Sequence, residues 1–141
     1  MEMSVQVTID SAHPHRQADW WAELLGWSVE PQDAAFIRRM VDEGQATVEE
    51  TAEHDGRLVW RAGAAINAPE HIRAPRILFV EVPEDKTVKN RVHLDLRPAA
   101  EDAEAARARA MELGAVPIGS GQQGPHAWTV FSDLEGNEFC L

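Results

Sequence analysis

Apolar and polar positions alternate at the start of the chain. Val5, Val7 and Ile9 face one way and Gln6, Thr8 and Asp10 the other, which predicts a strand over residues 4–10. Ser11-Ala12-His13-Pro14 reads as a turn into a helix with Pro14 at its first position. That helix carries Trp20, Trp21, Leu24 and Leu25 on one broad apolar stripe and stops at Gly26. A short strand follows at Trp27–Glu30. The pattern then changes: Phe36, Ile37, Met40 and Val41 recur at helical spacing after a capping Asp33, and Thr47-Val48-Glu49-Glu50 has the spacing of a capping box. Asp55-Gly56 marks a turn, Arg57–Ile66 reads as one strand, and residues 67–75 read as a loop with two prolines. Arg76–Val82 is the most regular strand of the first half, closed by Pro83.

The second half opens on Lys86–Arg97, where a basic polar loop runs into an alternating strand. His93, Asp95 and Arg97 share one face and Val92, Leu94 and Leu96 the other. An Ala-rich helix over Glu101–Leu113 buries Ala103, Ala106, Ala110 and Leu113 and stops at Gly114. Short strands are predicted at Ala115–Ile118, Ala127–Phe131 and Asn137–Leu141. Gly119–Pro125 reads as a flexible connection and Asp133-Leu134-Glu135-Gly136 as a turn. Both halves therefore read strand, helix, Leu-Gly, strands. Gly26 lies 20 positions after Gln6, and Gly114 lies 21 after His93. Recurrence at this separation is the signature of a duplicated unit, here βαβββ, although strand-helix-glycine also recurs by chance.

Composition narrows the function classes. The 141 residues suit one domain, and 44% apolar with 26% charged content is that of a soluble globular chain. Thirteen basic against 24 acidic residues give a net charge of −11, which argues against nucleic acid and anionic membrane as partners. The exception is the run Lys86, Lys89 and Arg91, which either pairs with the acidic remainder or attracts an anionic ligand. A single cysteine, Cys140, fits a reducing compartment, and no signal-like or membrane-spanning stretch is present, so a cytoplasmic protein is expected.

The stretches Trp20-Trp21-Ala22-Glu23-Leu24-Leu25-Gly26-Trp27 and Asp133-Leu134-Glu135-Gly136-Asn137-Glu138-Phe139 resemble two motifs of the vicinal oxygen chelate superfamily. These are its aromatic-x-x-x-L-G-aromatic helix end and its D-x-[ED]-G-N hairpin. The likeness is to the glyoxalase-like and bleomycin-resistance-like members, and Val82-Pro83-Glu84 with Lys86–Asp95 is similar to a subgroup of glyoxalase-like proteins. The resemblance implies an α+β fold of two βαβββ modules whose curled mixed sheets enclose a shared pocket. The whole chain would be one such domain, with module 1 at about 1–84, a helical insertion at about 31–60, and module 2 at about 85–141.

It also implies where a divalent metal would sit, on the first and last strands of the modules. Those positions fall at Gln6, His93, Val80 and Cys140. Valine cannot ligate and thiolate is soft, so the set is degenerate; a displaced set of Gln6, His93 and Glu138 is the alternative. Glu138 shares the face of Cys140, about 7 Å along the strand. Without metal, His93 with Asp95 and Glu138 forms a polar cluster able to act as acid or base, and the catalytic candidates are His93 and Glu138. Gln6, Trp60, Asp95, Trp128 and Cys140 are candidate ligand contacts, while Trp20, Trp21 and Trp27 are expected in the core. Three readings follow: a small-molecule-binding protein with metal-independent lyase or isomerase chemistry, a sequestering protein without catalysis, or a metal-dependent lyase or dioxygenase using His93 and Glu138. The expected partners are a small organic molecule and a second copy of the chain in a homodimer; the cofactor stays open.

Overall fold

In the computed structural model, which describes residues 1–141, the chain divides into two units, Met1–Pro83 and Glu84–Leu141. The first contains β1 (Val7–Ser11), α1 (Pro14–Leu25), β2 (Ser28–Val29), α2 (Ala34–Asp42), β3 (Thr51–His54), β4 (Arg57–Trp60), β5 (Gly63–Asn67) and β6 (Ile77–Glu81). Its main sheet has the order β1-β6-β5-β2, with β1 parallel to β6 and the other pairs antiparallel. Helix α1 starts on Pro14, whose missing N–H falls where none is needed, and ends at Gly26 with φ 67°. Its apolar stripe packs on β5 and β6. Ala18, Trp20, Trp21, Ile66, Ile77 and Phe79 are all buried there. Gly63 must be glycine, because a Cβ would stand 2.5 Å from the Phe79 carbonyl oxygen.

The second unit contains β7 (Leu94–Asp95), α3 (Ala103–Glu112), β8 (Val116–Gln123), β9 (His126–Ser132) and β10 (Glu138–Cys140). Its sheet has the order β7-β10-β9-β8 and again pairs its first strand parallel with its last. Each unit therefore arranges a βαβββ series as first, last, third, second. Phe131 and Phe139 stack at 5.5 Å and are buried, as is Ala110 of α3. The Asp133–Asn137 turn shows why that motif has its residue types. Asp133 Oδ1 accepts the N–H groups of Glu135 and Asn137, both at 2.9 Å, Gly136 takes φ 85°, and the Asn137 amide donates back to the carboxylate.

Several sequence expectations need correction. The first strand begins at Val7, not residue 4, because β6 offers no pairing residue before Arg76. The strand expected over Arg57–Ile66 is two: β4 pairs with β3 while β5 pairs with β6, and the chain turns between them. The insertion is only half helical, since after α2 and a 3-10 turn at Val48–Glu50 it forms the β3–β4 hairpin. Phe36 is exposed with the Arg39 guanidinium over its ring, and Ile37 alone of that helix is buried. Gly119–Gln123 is strand, because β9 supplies partners for Gly119, Ser120 and Gly121. The strand around His93 is reduced to Leu94–Asp95, because its neighbour β10 is itself short.

An ion pair ties β2 to β6 at the sheet's edge. Glu30 takes both Arg76 Nε (2.8 Å) and a second guanidinium nitrogen (2.9 Å), and the Asn67 amide at 3.0 Å. The Arg76 hydrogen bond, then Asn67, pulls the Glu30 carboxyl down from 4.5 to about 2 against the opposing effect of burial. With the folded value below the unfolded one, ionised Glu30 stabilises the fold above pH 4.5 and loses that contribution as pH falls toward 2.

Two outcomes test this architecture. Asp133→Ala leaves two backbone N–H groups without their acceptor, so chemical denaturation should show a loss of about 2–4 kcal/mol; an unchanged midpoint would show that the turn does not need its carboxylate. Glu30→Gln should be less stable than the natural chain at pH 6, by about 1 kcal/mol or less for a half-exposed pair, and the two should converge near pH 2. A gap that persists at acid pH would contradict the charge-based account.

Candidate functional site

Strand register builds the cluster around His93. In the parallel β7–β10 pair, Leu94 lies beside Phe139 and Asp95 beside Cys140. Phe139 is buried, so the alternate positions Asp95 and Cys140 share the other face, and His93 precedes them on it. His93 Nδ1 lies 2.9 Å from Asp95 Oδ1, and Cys140 Sγ lies 4.0 Å from the same nitrogen. An ionised carboxylate only accepts, so Nδ1 donates and the neutral ring keeps its lone pair on Nε2. The imidazole is 40% exposed and Asp95 50%, so a ligand can reach both. Burial first, and then the Asp95 charge, pushes the Cys140 thiol up, which leaves it protonated near neutrality and weak as a nucleophile.

Glu138 is engaged elsewhere. Lys86 Nζ approaches its carboxylate at 3.2 Å and the Asn90 N–H donates to Oε2 at 3.0 Å. Burial raises its pKa, but the hydrogen bonds from Asn90 and Lys86 outweigh that and hold it below the usual carboxylate range. The side chain is therefore an ionised anchor that pins the Lys86–Asn90 loop to β10. The Lys86 ammonium accordingly pairs with an acidic group of its own unit.

The other candidates lie on other elements. Gln6 precedes β1, its Oε1 accepting from the Arg76 guanidinium at 2.7 Å. Trp60 ends β4, its backbone N–H donating to Gln32 and its carbonyl accepting from His15 Nε2. Trp128 on β9 lies over Gly121, where a Cβ would meet the indole at 2.3 Å, and it remains 36% exposed. Gln6 and Glu138, the residues named with His93 as the alternative metal set, each hold donors of their own unit: Gln6 Oε1 the Arg76 guanidinium, and the Glu138 carboxylate Lys86 and the Asn90 N–H. Within the second unit three donors, His93, Asp95 and Cys140, lie within 4.8 Å of one another. Using them would require removing the proton from a thiol that holds it tightly.

Sequence reading allowed for Lys86 meeting an acidic group without naming Glu138, and it missed the Asp19–His54 pair altogether. The Lys86–Glu138 pair spans 52 residues, and the Asp19–His54 pair in the first unit spans 35. No local spacing announces either. The one available signal was Asp55-Gly56, which places His54 at the end of a hairpin.

The sequence profile of the glyoxalase-like domain matches residues 6–141. Among curated proteins none matches the chain. Among solved structures the chain is similar to the fosfomycin resistance protein FosX from Mesorhizobium loti, at 11% identity and TM-score 0.64, covering 100% of this chain and 90% of that one. A FosX mutant from Listeria monocytogenes, in complex with Mn(II) and a dihydroxypropylphosphonic acid, gives 10% identity and TM-score 0.65 with the same coverage. A glyoxylase/bleomycin resistance protein/dioxygenase domain from Frankia gives 13% identity and TM-score 0.61, covering 99% and 95%. At these identities the structural likeness speaks for fold alone. With the profile spanning nearly all residues and both βαβββ units in the same strand order, the chain belongs to the glyoxalase-like domain family of the vicinal oxygen chelate superfamily.

Proposed function

We propose that this chain binds a small, partly apolar organic molecule and that His93, oriented by Asp95, exchanges a proton with it in metal-independent lyase or isomerase chemistry. The observation that carries this reading is the 2.9 Å His93–Asp95 hydrogen bond on an accessible face. It sets the ring orientation, keeps Nε2 as the basic atom, and provides a carboxylate to stabilise the imidazolium that forms. A proton beside a carbonyl group is the natural target, because its removal by Nε2 and return to a neighbouring atom is a complete isomerisation. Glu138 supports the site by holding the Lys86–Asn90 loop rather than by transferring a proton.

Sequestration without catalysis is the second reading, and the exposed indole of Trp128 favours it as a flat apolar contact for a ligand. A homodimer and a place in the reducing cytoplasm complete the proposal, the latter supported by the single free Cys140.

A panel of small carbonyl compounds, screened by thermal shift and then followed by NMR in D2O, tests the proposal. The natural chain should exchange the α-proton of a bound compound. His93→Ala should slow exchange by about 10²-fold or more, and Asp95→Asn should slow it less, with binding retained in both. Binding without exchange in the natural chain would select sequestration, and unchanged exchange in His93→Ala would remove His93 from the chemistry. Fosfomycin, which the FosX neighbours are named for resisting, should survive incubation with the protein and Mn²⁺, since Arg76 holds Gln6 and Lys86 with Asn90 holds Glu138 in place of an ion. Metal-dependent opening of its epoxide would overturn the metal-independent assignment.

A further inference from the structure

We propose that the first unit carries a second site, separate from the His93 cluster, in which Asp19, His54 and Asp55 bind a divalent transition metal ion. Asp19 projects from α1 between the buried residues Ala18 and Trp20, so its backbone is fixed by the core. His54 and Asp55 come from the inserted hairpin. Asp55 (φ 48°) and Gly56 (φ 74°) close it as a two-residue turn with both residues left-handed, the tightest connection for a twisted hairpin. The turn thereby delivers His54 Nε2 to 2.5 Å from Asp19 Oδ2 and 3.7 Å from Asp55 Oδ2. One nitrogen and two carboxylate oxygens lie within 4.8 Å of one another, a separation that small shifts would close around an ion.

The electrostatics favour a cation. Two carboxylates converge on one imidazole, so at least one negative charge is left over. The nearby Arg61 guanidinium is directed to the carbonyls of Glu49 and Thr51 instead. The donor set is also easier to use than the one around His93. It contains no thiol, and a neutral His54 need only shift its proton to Nδ1 to free Nε2. Imidazole with two carboxylates suits a borderline ion such as Zn²⁺, Ni²⁺ or Co²⁺.

A second imidazole and open space complete the arrangement. The ring of His15 lies 5.1 Å from that of His54, and its Nε2 is committed to the Trp60 carbonyl at 2.8 Å, so Nδ1 holds the lone pair. A cleft of about 200 Å³ lined by His13, His15 and His54 opens beside the cluster and leaves room for water or an exogenous ligand on the ion. Three histidines from two distant segments thus face one cleft. The site places the ion where it would bind the hairpin to α1.

The test uses the full chain, stripped with EDTA and dialysed against Zn²⁺, with bound metal counted by mass spectrometry and thermal unfolding followed in parallel. The natural chain and His93→Ala should each hold one equivalent and gain thermal stability from it. His54→Gln keeps an N–H donor for Asp19 but offers no imidazole; it and Asp19→Asn should bind at least about 10–100-fold more weakly, the loss that follows even from removing an outer partner of a ligand. Circular dichroism and the metal-free unfolding midpoint show whether each variant is folded, and a folded variant of either kind suffices. No binding by the natural chain, equal binding by His54→Gln, or binding abolished by His93→Ala and kept by His54→Gln would each overturn the proposal.

Discussion

The parallel pairing of the first and last strands in each unit is the constraint on which the rest depends. The first and second strands of each unit also run the same way, at opposite edges of the sheet, which no tight turn can join, so the chain crosses between them through α1 and α3. The remaining two strands then complete the sheet as an antiparallel extension. The result is one order, first-last-third-second, reached twice from unlike sequences. The same pairing sets the faces. Once Phe79 or Phe139 is buried, every second residue on both strands is committed to the opposite side.

The repeat equalises position and leaves chemistry free to diverge. In the first unit the pairing sets Asp10 beside Val80, and an aliphatic side chain offers nothing to a ligand or an ion. In the second it sets Asp95 beside Cys140, with His93 next on the same face. On these paired strands a polar cluster therefore forms in the second unit only. Its neighbour Glu138, two residues before Cys140, is drawn the other way by Lys86 and Asn90, because an ammonium and a backbone N–H satisfy a half-buried carboxylate better than a neutral imidazole does.

The insertion between β2 and β5 follows a different logic. It adds a helix and a hairpin without altering the sheet they interrupt, since β5 resumes pairing with β6 directly afterwards. Its contribution lies at its ends: Gln32 accepts the Trp60 N–H and donates to the Gly63 carbonyl, closing the base of the hairpin. The tip carries His54 and Asp55 to α1.

Sequence by itself determined the repeat, both crossover helices and their glycine stops, the burial of Trp20 and Trp21, and the Asp133–Asn137 turn. Each of these is written in neighbouring residues, through periodicity, φ preference or a side chain bonding its own backbone. It also placed His93, Asp95 and Arg97 on one face, so part of the His93 cluster was legible. Tertiary structure alone decided the rest. Strand lengths depended on what the partner strand offered, which is why Gly119–Gln123 became strand and the stretch around His93 shrank to two residues. The partners of Glu138, Gln6 and Asp19 lie 35 to 70 residues away in sequence. A carboxylate carries no local mark of which distant cation or N–H will reach it; that choice is made only when the strands dock.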